Sequence, residues 1–184
     1  MTRPKTKFTN GDDVNVDHHH NIQDPSNVKV VNNKIYFYED VTIESTLLLC
    51  THVKDLEKKF LKLQIDYDLK KPPKIYIYIH SYGGDVYAGL SCMNTLENCN
   101  VPIITIVDGY VASAATFLLL GGHKRHMRKY SHILIHQIRG ESWGKYEELK
   151  DEFINTEKLM ETIKNIYLTK SNNDLISHPN RYCF

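Results

Sequence analysis

The chain has 184 residues, enough for one domain, and its 41% hydrophobic content suffices for a core. A formal net charge of +1 gives no global attraction to nucleic acid or to an anionic membrane surface. No apolar run reaches transmembrane length, residues 1–13 lack the apolar core of a signal peptide, and Cys50, Cys92, Cys99 and Cys183 form no CxxC pair. These features predict a soluble, cytoplasmic protein with reduced thiols rather than a disulfide framework.

Residues 1–28 are polar and rich in Asn, Asp and His, so they are expected to form a flexible N-terminal arm, with residues 29–184 as the folded domain. Within the arm, Asp17-His18-His19-His20 reads as a polar tail segment rather than a metal site, and nothing elsewhere calls for a metal or cofactor. Val28-Lys29-Val30-Val31 and Lys34-Ile35-Tyr36-Phe37-Tyr38 predict two short strands joined by a turn at Asn32-Asn33. Thr42 to about Leu63 predicts a helix, with Leu47, Leu48, Val53, Leu56, Phe60 and Leu61 at helical spacing.

Lys74-Ile75-Tyr76-Ile77-Tyr78-Ile79 predicts a strand that ends at His80-Ser81-Tyr82-Gly83-Gly84-Asp85, and a helix is expected from Val86 to Cys99. Ile103-Ile104-Thr105-Ile106-Val107 predicts a buried strand broken at Asp108-Gly109-Tyr110. The small residues Ala112-Ser113-Ala114-Ala115 then open an apolar helix that stops at Gly121-Gly122. The basic run from His123 to Lys129 reads as a solvated loop. Ser131 to His136 reads as a strand, and residues 139–145 as a glycine-spaced excursion. Tyr146 to about Thr169 predicts a long charged helix whose stripe of Leu149, Phe153, Leu159, Ile163 and Ile166 calls for cover by a partner subunit. Strands alternating with helices imply a parallel α/β sheet.

In such sheets, sites gather at the carboxyl ends of strands. Three ends carry reactive-looking groups: Gly83-Gly84, Ser113 and His136. A hydroxyl at a strand-to-helix junction, a histidine near neutral pKa and backbone N–H groups without covering side chains are the parts of acyl transfer. Ser113 would attack, His136 would take its proton, and the N–H groups of Gly84 and Ala114 would stabilise the oxyanion.

The sequence also resembles the Clp protease proteolytic subunit (ClpP) family from about Lys34 to Thr169. Ile79-His-Ser-Tyr-Gly-Gly-Asp-Val-Tyr-Ala-Gly89 is similar to the family's INSPGGxVxAG, Gly109-Tyr-Val-Ala-Ser-Ala-Ala-Thr-Phe-Leu-Leu-Leu-Gly-Gly122 to its GQAASMGAFLLAAG, and Ile133-Leu-Ile-His-Gln137 to its xMIHQP. The resemblance implies a ClpP/crotonase-like fold of stacked βαβ units, with Ser113 as nucleophile, His136 as base and an oxyanion hole from Gly84 and Ala114. It implies a serine endopeptidase that hydrolyses unfolded polypeptides inside two stacked seven-membered rings fed by a hexameric AAA+ Clp ATPase. Residues 139–169 match the strand and long helix of the family's handle, which joins the rings.

Tyr82 and Ile138 stand where the family has proline. No residue matches the family's catalytic Asp, which follows the handle helix, and Asp174 falls too early for that role. The segment after the handle is expected to be incomplete. An unoriented His136 loses much of its effect as a base; in the chymotrypsin-type triad, neutralising the Asp lowers kcat about 10⁴-fold. The alternative reading is therefore a catalytically impaired, ClpP-like structural subunit of a mixed ring, opposed by the intact Ser113 and His136. A crotonase-fold enzyme acting on acyl-CoA would need no serine nucleophile, and a signal peptide peptidase would use a lysine base and a membrane anchor.

Overall fold

A computed structural model describes residues 26–140 and 142–171. The His tract at 18–20, Asp174 and Cys183 lie outside the described residues.

Strands β1 (Val28–Val31) and β2 (Lys34–Phe37) form the expected hairpin, antiparallel, with Val30 opposite Ile35. Asn32 in its turn adopts φ +59, a left-handed conformation that Asn tolerates. Val28 opens the first strand, as its apolar alternation predicts, and is buried.

Helix α1 (Ile43–Asp66) starts where Thr42 accepts the Ser45 N–H while Ser45 reaches back to the Thr42 N–H, a reciprocal capping box. Its buried stripe is Leu49, Val53, Leu56 and Phe60. Leu47, expected in that stripe, is 65% exposed. Three consecutive leucines leave the phase open, and the 53/56/60 spacing selects Leu49.

Strand β3 (Ile75–Ser81) alternates strictly, with Ile75, Ile77 and Ile79 fully buried. Helix α2 (Val86–Glu97) is capped by Asp85, whose carboxylate accepts the Ala88 N–H at 2.7 Å. Strand β4 (Ile103–Ala112), helix α3 (Ala115–Leu120), strands β5 (Lys124–Met127) and β6 (His132–Leu134), and helix α4 (Tyr146–Ser171) complete the order.

The sheet runs β1-β2-β3-β4-β5, with β6 also paired to β4, and every pairing after the hairpin is parallel. Helices α1, α2 and α3 pack over its isoleucine face, burying Val53, Leu96 and Leu118 completely. Each such side chain contributes about 1.5–3 kcal/mol by leaving water. Tyr36, Tyr38, Tyr78 and His80 form a row of ring contacts on the opposite face.

Three expectations need correction. The basic run after His123 is not a loop: residues 124–127 form β5, an edge strand where charged side chains are tolerated because one side stays open to water. Its Arg125 donates to the carbonyls of Leu120, Gly122 and Lys170, tying the ends of α3 and α4 together. Second, β4 runs straight through Asp108-Gly109-Tyr110 to Ala112, so the helix starts three residues later than expected. Third, no strand is present among the described residues of 139–145. An extended segment needs a neighbour for its backbone groups, and no described strand pairs with it.

Helix α4 divides into two parts. Its second half packs on α3 through Tyr167 stacked on Phe117, with Ile163 buried. Its first half buries nothing, and Phe153 is 64% exposed. No helix among the described residues is long and apolar enough to cross a membrane.

Candidate active site

Strand β4 carries Ser113 past the sheet edge by changing partners midway. Ile104–Val107 pair with β5, and Tyr110–Ala112 pair with β6. Gly109 makes the change at φ +100, where an added Cβ would lie 2.6 Å from His80 Nδ1. Ser131 pins it: its buried hydroxyl donates to the Val107 carbonyl at 3.0 Å and accepts the Gly109 N–H at 2.9 Å. Tyr38 donates to the Asp108 carboxylate, which also pairs with Arg128 at 3.0 Å. Burial and that carboxylate push the Tyr38 phenol up to about 12, so it remains a donor at neutral pH.

Ser113 follows directly. It adopts φ +52, a left-handed conformation unusual for a residue with a Cβ. The strand-to-helix turn is therefore sharp, and the half-buried Ser113 is flanked by buried Ala112, Ala114 and Ala115, which are too small to cover its hydroxyl. Ala114 is the N-cap of α3, so no earlier helical carbonyl accepts its N–H. With six residues, α3 adds little dipole, and the N–H itself is what the turn offers.

Gly83-Gly84 lies against this turn. A Cβ on Gly83, at φ +102, would come within 2.6 Å of Ser113 Cβ and 3.1 Å of the Ala114 nitrogen. The Gly83 N–H is held by the buried Ser81 hydroxyl at 3.2 Å. Val41 fixes the segment from the other side. Its N–H donates to the Gly83 carbonyl and its carbonyl accepts the Asp85 N–H, both at 2.7 Å. In a parallel bridge of this form, the backbone groups of the central residue point away from the partner strand. The N–H of Gly84 therefore points away from Val41. Gly84 must be glycine, because at φ +142 a Cβ would overlap the Val41 carbonyl oxygen.

His136 comes from the neighbouring strand. The Leu134 carbonyl accepts the Ser113 N–H at 2.9 Å, and Leu134 is the register partner of Ala112. Strand β6 ends there, two residues short of the expected end, and His136 stands exposed beyond it. Its Nδ1 lies 2.6 Å from the Gln137 carbonyl. A carbonyl only accepts, so in the neutral imidazole this contact places the proton on Nδ1 and the lone pair on Nε2.

All four residues singled out from sequence thus lie at one edge of the sheet, at the carboxyl ends of β3, β4 and β6. The arrangement offers a hydroxyl, an imidazole with a free Nε2 lone pair and two backbone N–H donors. Sequence reasoning missed Val41, Ser81 and Ser131. Val41 acts through its backbone and leaves no mark in its side chain. Ser81 and Ser131 were legible only as polar residues inside strands, a departure from the apolar pattern around them.

Comparison with known proteins identifies relatives of this chain. Residues 31–177 match the model of the family described as Clp protease. An ATP-dependent Clp protease proteolytic subunit of Mesostigma viride is 33% identical over 103 residues, covering 55% of this chain and 45% of that protein. The chain thus spans less than half the length of that relative. Proteins with the same name from Oltmannsiellopsis viridis and Bacteroides thetaiotaomicron are 30% and 32% identical over 142 and 141 residues. They cover 75% and 74% of this chain, and 73% and 64% of those proteins. A match over most of the described fold, with relatives that extend across both glycine-rich and serine-bearing strand ends, means that this chain belongs to the Clp protease family.

Proposed function

We propose that the chain is a serine endopeptidase subunit acting on unfolded polypeptide. The observation that carries the reading is the contact of Gly83 with the Ser113 turn, beside a Gly84 whose N–H is not taken up by Val41. Ser113 Oγ attacks the scissile carbonyl as His136 Nε2 accepts its proton. The N–H groups of Gly84 and Ala114 stabilise the oxyanion, and removing one such donor typically costs 10²–10³-fold in kcat (roughly 2.7–4 kcal/mol). His136 then returns the proton to the departing amine, and water hydrolyses the acyl-enzyme by the same route in reverse.

The Gln137 carbonyl supports the required His136 tautomer, though it lacks the charge by which a carboxylate would stabilise the imidazolium. A cytoplasmic setting fits the free thiols of Cys50, Cys92 and Cys99. The uncovered first half of α4 supports assembly with further copies, in the paired seven-membered rings that the family resemblance implies. Unfolded chains would be delivered by a hexameric Clp ATPase. The folded domain of this reading spans residues 29–184, with 1–28 as its arm.

The test is labelling with a fluorophosphonate, read by intact mass on wild type, Ser113→Ala and His136→Ala. The reading expects one adduct on wild type, none on Ser113→Ala and slow labelling of His136→Ala. Equal labelling of wild type and Ser113→Ala would remove Ser113 as nucleophile. No labelling of the folded wild type would favour the structural subunit of a mixed ring.

A further inference from the structure

Helices α1 and α2 enclose a groove of about 430 Å³ whose lining includes Leu47, Cys50, Tyr87, Ser91, Cys92 and Thr95. Two thiols meet in it from different helices: the Sγ atoms of Cys50 and Cys92 are 3.7 Å apart. Cys50 is half-buried, open to the groove, and Cys92 is buried behind it. Closing to a covalent S–S distance of about 2.05 Å needs a combined movement of about 1.7 Å, within the reach of two side-chain torsions and a small helix shift. Cys99 is buried past the far end of α2, beside Glu57, and lines no part of this groove.

We propose that Cys50 and Cys92 are a redox couple, in which Cys50 takes up a small soluble disulfide from the groove and Cys92 resolves it into a cross-link between α1 and α2.

The Cys50 thiolate attacks one sulfur of the small disulfide. A Cys50–S–S–R bond forms, and the other half leaves as thiolate. Cys92 sulfur then attacks the Cys50 sulfur and expels the second half, while its proton passes to a released thiolate. Two protein thiols are oxidised by two electrons, and one small disulfide is reduced to two thiols. The surroundings sort the two roles. A hydrogen bond from Cys92 outweighs burial at Cys50, and with the Thr95 hydroxyl and the Lys54 ammonium it draws that thiol down to about 7. The hydrogen bond to Cys50 and burial push Cys92 up, so it enters second. The charged and titratable groups around the pair are Lys54 with its partner Glu57 on α1, and Asp85 and Tyr87 at the start of α2.

The inference is independent of the peptidase reading, and its test needs no activity. The full chain is incubated with glutathione disulfide and followed by intact mass and peptide mapping after alkylation. Wild type should lose about 2 Da as Cys50 and Cys92 join in one peptide pair. Cys92→Ser should stop at glutathione on Cys50. Initial rates should rise about tenfold from pH 6 to 8 and then level off. Glutathione persisting on Cys50 in wild type would overturn the proposal. So would reaction at Cys99 as fast as at Cys50, or no cross-link at all. If Cys92→Ser loses its circular dichroism signature, the wild-type peptide map decides alone.

Discussion

Gly83 and Ser113 pack backbone against backbone, so closely that a methyl group added at Gly83 would fall 2.6 Å from the Ser113 Cβ. The turn that presents the hydroxyl and the loop that presents Gly84 are therefore one mechanical unit. Gly83→Ala must either move Ser113 or give up φ +102. It should lose at least about 10²-fold in peptide hydrolysis, since a shift of about 1 Å at a reacting group is enough for that. It should also lose about 1–2 kcal/mol in urea unfolding, from a Cβ forced into the left-handed region. Full hydrolysis by Gly83→Ala would mean that the Gly83-Gly84 loop has no part in the chemistry.

The strand ends were legible in the sequence because the chemistry at each is carried by a residue type out of place in its surroundings: paired glycines, a serine among alanines, a histidine after isoleucine. Their convergence was not legible, because it depends on Val41 and Leu134, whose backbones do the holding. The extension of β4 through Asp108-Gly109 was hidden for a related reason. Gly109 reads as a breaker, and only the Ser131 hydroxyl, 22 residues on, shows that the strand continues on a new partner. Likewise, Arg125 reads as part of a solvated basic run until the helix ends that it caps are in place.

Ser113 at φ +52 implies that glycine suits its backbone better than alanine does. Ser113→Gly should be more stable than Ser113→Ala by roughly 1 kcal/mol, offset in part by glycine's greater freedom in the unfolded chain. Both should be inactive in peptide hydrolysis. Urea midpoints of the two variants give the comparison, and a clearly more stable Ser113→Ala would show that the turn carries no strain.

Glu57 provides an acid-sensitive contact between α1 and the turn after α2. Its buried carboxylate accepts the Asn100 N–H at 2.6 Å and the Asn100 side-chain amide at 2.9 Å, and pairs with Lys54 at 2.7 Å. Burial alone would raise its pKa, but these donors together outweigh it and hold the group below 4.5. A depressed folded value means that the unfolded chain binds the proton first. The stabilisation is thus complete above about pH 4.5 and is lost as the pH falls through the lower folded value. Glu57→Gln should flatten that acid limb of the stability profile. Glu57→Ala, which strands the Asn100 donors, should cost about 2–3 kcal/mol at pH 7. An unchanged acid limb in Glu57→Gln would assign the acid sensitivity to other carboxylates.

The first half of α4 tests the assembly. Phe153 and Ile154 are exposed on a helix segment with no buried residue among the described ones, whereas about two and a half to four turns later Ile163 is buried and Tyr167 stacks on Phe117 of α3. A large aromatic left in water forgoes about 1.5–3 kcal/mol, which another copy recovers by covering it. Phe153→Glu removes that gain and places a charge at the contact, while touching nothing that the monomer needs. Each interface should therefore weaken by at least about tenfold to a hundredfold in Kd. Because a closed ring contains many such contacts, the effect on assembly should be larger than on any one of them. Sedimentation velocity at micromolar concentration should show a large wild-type species and a small, fully folded Phe153→Glu species with unchanged far-ultraviolet circular dichroism. A wild-type chain that sediments as a folded monomer, or a variant that assembles like wild type, would show that α4 leaves Phe153 to solvent in the assembled protein as well.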